Sequence, residues 1–259
     1  MNPLRITVIT VCLNSARTIR ETLASVASQA YDNLEHIIID GSSRDGTVEI
    51  VRSWDGHPVR FLSEPDRGIF DAMNKGLRLA TGDVVGFLNS DDVYYDAGVL
   101  KKVAETMSDA RVDACYADLI YVEKNNLDKI VRFWKSCPFT PGLFGTGWVP
   151  PHPTFFARRR IFDRFGLFDL NYSLAADYEL MARFLEKSQV HAVYIPQILV
   201  KMRYGGASNK NLSNIIKQNL EIYRALKKNN ISFCPLKFFS AKLITRIRQY
   251  ASKPSLELI

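Results

Sequence analysis

Two spacings of apolar residues alternate along the first part of the chain. Short apolar runs rich in β-branched residues are typical of buried strands, and between them apolar residues recur at helical spacing. Strands are predicted at Leu4–Leu13, Glu35–Ile39, Val59–Leu62 and Val84–Leu88, and helices at Ser15–Ser28, Asp45–Trp54, Ile69–Leu79 and Ala97–Met107. Repeated strand-helix units favour an α/β fold with a doubly wound, mostly parallel sheet.

The pattern is less regular after residue 110. Strands are predicted at Ala114–Val122, Ile130–Trp134, His191–Ile195 and Leu199–Tyr204, and helices at Ala176–Leu185, Leu212–Lys228 and Leu236–Ala251. Residues 138–153 are rich in Pro and Gly, which is typical of an irregular active-site loop. We therefore expect a catalytic domain over 1–208, with halves 1–110 and 111–208, and a basic helical extension over 209–259 formed by C-terminal amphipathic helices.

Composition limits the class of protein. The chain has 259 residues, of which 47% are hydrophobic and 24% charged, as in a soluble globular protein. Its four cysteines show no metal-ligand spacing, which favours a reducing compartment. Neither a signal peptide nor a bilayer-spanning apolar segment is predicted. We expect a cytoplasmic protein, peripheral on the inner face of the cytoplasmic membrane.

Positive charge is concentrated near the C-terminus. Residues 201–259 contain 12 Lys or Arg and two acidic residues, a net +10, so the total of +7 leaves −3 for residues 1–200. In a helix from Leu236, one apolar face is flanked by basic side chains, which favours contact with anionic lipid. A helix packed on the catalytic domain and a nucleic-acid contact are the alternatives.

Carboxylates follow two of the predicted strands, at the edge where open parallel sheets bind ligands. Asp40 ends the second strand, and Asp91 with Asp92 follows the fourth. Adjacent carboxylates repel each other unless a cation or a donor-rich ligand lies between them, and a site with oxygen ligands alone suits Mg²⁺ or Mn²⁺. The alternatives are a turn at Asp40 and a turn or helix N-cap at Asp91–Asp92.

The phosphate-binding glycine motifs are absent from the chain: there is no G-x-x-x-x-G-K-[ST], and no G-x-G-x-x-G follows the first strand. Instead, Asp40-Gly-Ser-Ser-Arg-Asp-Gly-Thr47, Glu64-Pro-Asp-Arg-Gly-Ile-Phe-Asp-Ala-Met-Asn-Lys-Gly76 and Asn89-Ser-Asp-Asp92 closely resemble family 2 glycosyltransferases. The resemblance covers residues 4–208, is strongest to enzymes of bacterial exopolysaccharide and O-antigen biosynthesis, and implies the GT-A fold, a Rossmann-like doubly wound sheet.

The resemblance also implies residue roles. Asp40 would bind the base of the nucleotide, Asp91 the ribose or sugar, and Asp92 the metal. The full set implied to bind the nucleotide sugar is Val11, Asn14, Asp40, Ser42, Arg67, Asn74 and Asp91. His152 is a second candidate metal ligand, and Gly205, Gly206 and Ser208 would form a loop that closes over the site. Arg67 paired with Asp66, or a structural His152, is the alternative at those positions.

Asp177 is the candidate general base, since an inverting transfer needs a group that deprotonates the acceptor hydroxyl. It opens a predicted helix, where unpaired N–H groups favour an ionised carboxylate. Two features depart from the family pattern: Ala176 stands where Glu is frequent, and Val11-Cys-Leu-Asn14 stands where Pro-Thr-Tyr-Asn is frequent. Asp177 as a simple N-cap, and Glu179 as the base, remain alternatives.

The resemblance implies an inverting, metal-dependent glycosyltransferase in bacterial surface polysaccharide synthesis. Its donor would be a nucleotide-diphosphate sugar, with UDP favoured, and its acceptor a glycan on a polyprenyl-diphosphate carrier at the membrane surface. A nucleotidyltransferase of related fold is the alternative enzyme, although no glycine-rich loop follows the first strand. Nucleic-acid binding by the basic tail is the non-enzymatic alternative, and its aromatic residues do not form a stacking pattern.

Overall fold

The computed structural model describes residues 3–205 and 212–235, and, beyond them, Phe238, Ser240, Ala241, Ile244 and Gln249. Nine strands are described: β1 (Ile6–Cys12), β2 (Leu34–Asp40), β3 (Val59–Ser63), β4 (Val84–Phe87), β5 (Val93–Tyr94), β6 (Ala114–Glu123), β7 (Asn126–Trp134), β8 (Phe156–Arg158) and β9 (Ala192–Arg203). Seven α-helices are described: α1 (Ile19–Ala27), α2 (Thr47–Arg52), α3 (Ile69–Leu79), α4 (Val99–Thr106), α5 (Arg159–Phe165), α6 (Ala176–Ala182) and α7 (Leu212–Lys228).

The described strands form one mixed sheet in the order β3-β2-β1-β4-β8-β6-β9-β5, with β7 on β6. The strands β3, β2, β1 and β4 are mutually parallel, and β6 is parallel to β9. β8 lies between these two groups and runs antiparallel to both β4 and β6. The strands of the two groups therefore all run in the same direction. The predicted α/β class with a mostly parallel, doubly wound sheet is confirmed.

Helices cover both faces of the sheet because the central strands are apolar on both sides. Every residue of β1 is buried. Its residues Ile9 and Val11 join a core with α3, α5, α6 and α7. Cys12, on the other face, packs with α1 and α2, and α4 covers the neighbouring part of that face. The carboxyl ends of the strands are thereby left as an open edge.

Three predicted elements differ from the structure. The predicted strands His191–Ile195 and Leu199–Tyr204 are one strand, β9, whose register shifts at Pro196 and Gln197. Proline lacks the N–H that a sheet ladder needs, so the break in the pattern marks a bulge. The predicted helix Ala176–Leu185 ends earlier, at Ala182, and continues as a π-helical turn. The short elements β5, β8 and α5 were not predicted.

The first helix of the predicted C-terminal extension packs into the core of the catalytic region. Ile222, Ala225 and Leu226 of α7 are buried with side chains of α3, α5 and α6. Most of the second predicted helix, Leu236–Ala251, lies outside the described residues. Of its described members, Phe238 is buried, and Gln249 accepts a hydrogen bond from Arg132 at 2.6 Å. No described helix is both long and apolar enough to cross a membrane.

The contact between β4 and β8 leaves no room for a side chain at Gly86. A Cβ built there would lie 2.2 Å from the Phe156 ring, which is itself fully buried. We expect Gly86→Ala to lower the free energy of unfolding by about 1–3 kcal/mol, because the ring must leave its rotamer. Urea denaturation measures the loss. Gly98→Ala is the control, since among the described residues its Cβ meets the ends of two flexible side chains, Asp96 at 3.2 Å and Lys102 at 3.8 Å. Equal losses in both variants contradict the packing argument.

Candidate active site

The parallel strands bring the predicted donor-binding residues to one edge of the sheet. In β1, β2 and β3, Cys12 lies beside Asp40, and Asp40 beside Ser63. The loops that carry Asn14, Asp40 and Arg67 therefore leave the sheet side by side. The Asp91–Asp92 pair follows β4, whose residue Phe87 lies beside Ile9 of β1. These segments, dispersed over eighty positions of sequence, form one cleft edge.

Hydrogen bonds connect the loop after β1 to the loop after β2. The Asn14 main-chain N–H donates to Ser43 Oγ at 2.7 Å, and the Asn14 side chain accepts from the Arg44 N–H at 3.0 Å. Asp45 accepts from the Ala16 N–H at 3.0 Å. Asn14 and Ser42 have φ angles of +52° and +65°. Such conformations are uncommon for residues with side chains and concentrate at functional sites.

Asp40 is fully buried, and donors from the loop after β2 and from the neighbouring strand β3 surround it. Its carboxylate accepts hydrogen bonds from the side chain and the N–H of Ser43, and from Ser63 Oγ at 2.7 Å. Burial favours the neutral form, but these hydrogen bonds outweigh it and hold the pKa of Asp40 below its usual range. Asp40 is therefore a fixed negative charge at the base of the cleft, and it orders the loop around Ser42.

The Asp91–Asp92 pair is electrostatically strained. Asp92 is fully buried, and burial together with the neighbouring Asp91 raises its pKa well above the usual range. One Asp92 oxygen accepts from Asn89 Nδ2 at 3.2 Å, whereas the other, Oδ1, and Asn89 Oδ1 are buried and have no hydrogen-bond partner among the described residues. Unpaired buried acceptors are costly unless a ligand or ion satisfies them. Hard oxygen acceptors fit Mg²⁺ or Mn²⁺, so the donor set is suited to a divalent metal.

Arg203 supports the Asp91–Asp92 loop, although its role was not predicted. This residue ends β9 and is 5% exposed. Its guanidinium donates to the Asp91 carbonyl and the Glu21 carboxylate, and to the Lys124 carbonyl at 3.0 Å. The interaction joins residues separated by 112 positions, which no local pattern could indicate. Arg203 thus fixes the backbone of the acidic motif from the far half of the sheet.

The structure places Arg67 and Asn74 in different surroundings. The side chain of Arg67 is 76% exposed, and it pairs with Asp71 at 3.4 Å, not with Asp66. Asn74 is buried in α3, and its amide exchanges two hydrogen bonds with the main chain of Phe168, at 2.9 and 3.0 Å. Arg67 therefore faces the solvent, where a phosphate could reach it. Asn74 instead anchors the segment around Phe168, so the structure gives it a positioning role.

His152 lies in an aromatic environment. Its ring stacks on Phe87 at a centroid distance of 5.3 Å and meets Phe168 edge-on at 5.7 Å. Burial lowers the pKa of His152 to about 4, so the imidazole is neutral at neutral pH. Its Nε2 is buried and has no hydrogen-bond partner in the part of the chain that the structure describes. Within residues 3–205 and 212–235, however, no three His, Cys, Asp or Glu side chains are grouped as a metal site, so His152 does not join Asp91 and Asp92 in such a group.

Asp177 and Glu179 have different surroundings in α6. Asp177 is partly exposed in the first turn, and its carboxylate accepts from the Tyr178 N–H at 2.8 Å. Glu179 is fully buried and forms a salt bridge with Arg183 at 3.0 Å. Asn229 also donates to Glu179, at 3.2 Å. Because the Glu179 carboxylate is buried and bound by the Arg183 guanidinium and the Asn229 amide, it stabilises the fold. Asp177 is therefore the accessible acid of the motif.

The predicted closing loop is described only at its start. Gly205 is exposed with φ +121°, a conformation that L side chains rarely adopt, and a Cβ there would meet nothing within 4 Å. The φ angle alone favours glycine in the turn after β9, and the free space around the Cβ position refers to the described residues only. The other two residues assigned to the loop, Gly206 and Ser208, lie outside the described residues.

The sequence of the chain matches a protein-family model and the sequences of individual glycosyltransferases. The family model described as "Glycosyl transferase family 2" matches residues 7–166. An uncharacterized glycosyltransferase of Mycobacterium tuberculosis is 32% identical over 180 residues, 69% of this chain and 68% of that protein. A PGL/p-HBAD biosynthesis glycosyltransferase of Mycobacterium bovis is 28% identical over 209 residues, 76% of each chain.

Solved structures show the same fold at low sequence identity. A mannosyltransferase from Pyrobaculum calidifontis in complex with GDP-Man and Mn²⁺ matches with a TM-score of 0.67 and 21% identity, over 99% of this chain and 78% of that one. TarS from S. aureus in complex with UDP-GlcNAc gives 0.65 and 17%, over 98% and 77%. The GT-A fold expected from the resemblance is confirmed. With the family model covering more than half of the sequence, the chain belongs to glycosyl transferase family 2 and is a glycosyltransferase.

Proposed function

We propose that the protein transfers a sugar from a nucleotide-diphosphate donor to a glycan acceptor with inversion, in a metal-dependent reaction. The observation that carries this proposal is the Asp91–Asp92 pair, in which the fully buried Asp92 has an oxygen without a partner among the described residues, at the carboxyl edge of the parallel strands. That edge is where open α/β sheets bind their ligands. Two acids that repel each other there are stabilised by a cation and, through it, by a diphosphate.

The donor side of the site is formed by the loops after β1, β2 and β3. Asp40 carries a fixed negative charge that suits a donating N–H of a base, with Val11 and Asn14 in the flanking chain and Ser42 beside it. The exposed Arg67 provides positive charge for phosphate. UDP is the proposed nucleotide, in line with the UDP-GlcNAc complex of TarS, whereas the Pyrobaculum enzyme holds GDP-Man.

Asp92 is the proposed metal ligand, and Asp91 the proposed contact to ribose or sugar. A bound Mn²⁺ or Mg²⁺ would supply Lewis acidity to the departing diphosphate. Mn²⁺ is present in the complexes of the Pyrobaculum mannosyltransferase and of a glucosyl-3-phosphoglycerate synthase from Mycobacterium tuberculosis. His152 remains a prediction as a second ligand; its neutral ring can instead hold a hydrogen bond inside the cleft.

Asp177 is the proposed general base. For inversion, the acceptor hydroxyl attacks the anomeric carbon on the face opposite the leaving diphosphate, and a carboxylate must take its proton. Asp177 lies near the start of α6, where the helix N-terminus favours the ionised form. Gly205, with Gly206 and Ser208, is the proposed closing loop over the donor.

A donor screen tests the function. The protein is incubated with UDP-, GDP- and dTDP-sugars, with Mn²⁺, Mg²⁺ or EDTA, and nucleotide release is followed with and without a polyprenyl-diphosphate-linked glycan acceptor. We expect release with a UDP-sugar only when the metal is present, and faster release with acceptor. Release that is unaffected by EDTA contradicts the metal assignment, and turnover with nucleoside triphosphates alone would favour a nucleotidyltransferase.

The acceptor is proposed to be held on a lipid carrier at the cytoplasmic membrane surface. The support is the charge distribution: the net +10 of residues 201–259 lies after a catalytic region of opposite sign. The outer face of α7 adds exposed apolar side chains, Ile216, Leu220 and Tyr223. Apolar residues beside basic ones are typical of surfaces that contact anionic lipid.

Liposome flotation tests the membrane contact. Replacing four basic residues of the tail with Gln is expected to weaken binding to anionic vesicles by about two to three orders of magnitude, because each basic residue near the surface contributes about 1 kcal/mol and each 1.4 kcal/mol is about tenfold in affinity. The four are Lys237, Lys242, Arg246 and Arg248. The control variant changes four exposed basic residues elsewhere, Lys101, Lys129, Arg159 and Lys187. If both variants float alike, or neutral vesicles bind equally well, the electrostatic contact is wrong.

A further inference from the structure

A single carboxylate of α7 binds the segment that precedes the proposed base. Glu221 accepts hydrogen bonds from the Ser173 N–H at 3.1 Å and from Ser173 Oγ at 2.8 Å. It also accepts from the N–H groups of Leu174, at 2.8 Å, and Ala175, at 3.0 Å. Four donors from three consecutive residues thus converge on one side chain, and Asp177 follows two residues later.

The Glu221 carboxylate is buried and stays ionised. Glu221 is 4% exposed. Burial alone would favour the neutral acid, but the hydrogen bonds from residues 173–175 outweigh it and lower the pKa of Glu221. A carboxylate that accepts several main-chain N–H groups holds those groups more rigidly than a neutral acceptor does, because charge-assisted hydrogen bonds are stronger. The backbone before α6 is therefore fixed from outside its own helix.

The rest of the segment is anchored at other points. Asn74 exchanges two hydrogen bonds with the main chain of Phe168, and Lys228 of α7 forms a salt bridge with Asp169 at 2.6 Å. These contacts hold the first half of the connection between α5 and α6. Among the contacts described, Glu221 has the densest hydrogen bonding to its second half, which leads directly into the turn that carries Asp177.

We propose that Glu221 is a positioning residue for the general base: through residues 173–175 it sets where the Asp177 carboxylate stands relative to the acceptor hydroxyl. This inference rests on the proposed function, since it assumes that Asp177 takes the proton. It gives α7, which lies beyond the residues matched by the family model, a part in the reaction. We expect donor binding to be independent of this contact because, apart from Asn74 in α3, the proposed donor residues lie at the carboxyl ends of β1–β4 or on the loops after them.

Glu221→Gln is the primary test variant. Its amide can still accept two hydrogen bonds, but its NH₂ group faces main-chain N–H donors, so the segment is expected to shift. We expect the kcat of sugar transfer to fall about 10²-fold, as a misplacement of about 1 Å can cause. The KM for the donor and the Kd for the nucleotide with Mn²⁺ should stay within twofold. Glu221→Asp, which keeps the charge on a shorter side chain, should recover part of the rate.

The matched control is Glu35→Gln. Glu35 also accepts main-chain and hydroxyl hydrogen bonds, from Thr81 N–H at 2.8 Å and Thr7 Oγ1 at 2.6 Å, and its pKa is lowered in the same way. It lies at the opposite end of β2 from Asp40. Loss of this carboxylate should lower stability and leave kcat unchanged.

A double-mutant cycle separates positioning from a general structural role. If Glu221 acts through Asp177, Glu221→Gln in an Asp177→Asn background costs no further rate, since the group being positioned is already inert. Hydrogen exchange at the amides of 173–175, measured without donor or acceptor, should be faster in Glu221→Gln than in the wild type. This readout reports on the contact even if sugar transfer is absent.

The outcomes distinguish the two proposals. An inactive Asp177→Asn together with a fully active Glu221→Gln overturns the positioning role alone, and so does a Glu221→Gln rate loss that persists undiminished in the double variant. A fully active Asp177→Asn overturns the base assignment, and the positioning role with it. If Glu221→Gln does not fold, the same cycle is measured with Glu221→Asp, where slower transfer at unchanged donor KM supports the proposal and wild-type kcat overturns it.

Discussion

Replacing Asp92 with Asn or Ala is expected to remove metal-dependent sugar transfer, with a loss of roughly a thousandfold or more. A Lewis acid at a leaving diphosphate contributes several kcal/mol, and each 1.4 kcal/mol is about a tenfold rate change. Asp92 is the buried acid with an unpaired oxygen, so its loss removes the group best placed to hold the cation. Nucleotide release with Mn²⁺ measures the effect.

Stability provides the control for the Asp92 variants. Because burial and Asp91 raise the pKa of Asp92 well above its usual range, this carboxyl lowers the stability of the folded protein at neutral pH. We therefore expect Asp92→Asn, which has no charge, to melt at a higher temperature than the wild type when metal is absent. Mn²⁺ should then raise the Tm of the wild type and not that of the variant. Wild-type turnover in a folded Asp92→Ala protein would show that the metal assignment is wrong.

Asp177→Asn is expected to bind the nucleotide normally and to lose sugar transfer by ~10²–10⁴-fold, the usual contribution of a general base. The amide keeps the shape of the side chain but cannot take a proton. Steady-state kinetics should show the loss in kcat, with the donor KM unchanged, because the donor residues lie on other loops. Calorimetric titration with the nucleotide checks that binding is intact.

Glu179→Gln separates the two acids of α6. Glu179 is buried against Arg183 and Asn229, so its neutral variant should lower the thermal stability while the folded protein retains most of its transfer rate. Asp177→Asn is thus expected to lower kcat, whereas Glu179→Gln is expected to lower the Tm. A fully active Asp177→Asn beside an inactive, folded Glu179→Gln would show that Glu179 is the base.

The first half of the fold was predictable because its signals are local. β1, β2 and β4 contain buried apolar runs, β3 is a short and partly buried strand, and the helices between them have their own amphipathic spacing, so periodicity alone separates these elements. The second half contains long-range interactions that change the local pattern. β8 has only three residues, and the bulge at Pro196 divides the pattern of one strand into two. Such short or interrupted elements depend on their neighbours in the sheet.

Part of the site was predictable for the same reason. Asp40 ends β2, Asp91 and Asp92 lie on the loop after β4, and parallel strands bring these ends together. The residues that hold these acids were not predictable: Arg203 reaches the Asp91 carbonyl from the end of β9, and Glu221 reaches the Asp177 segment from α7. Asn74 remains a predicted donor contact from its place in a motif, and the structure adds its hydrogen bonds to Phe168, which the motif did not indicate.

The sequence by itself determined the fold class, the family and the carboxylates at the strand ends, because these follow from spacing and from residues adjacent in the chain. Only the tertiary structure decided which of these groups are charged, paired or exposed. Burial beside Asp91 makes Asp92 costly to ionise, while hydrogen bonds keep the equally buried Asp40 charged. The physical reason is that the free energy of a buried charge depends on the donors and charges within a few ångströms, and folding brings these from distant parts of the chain.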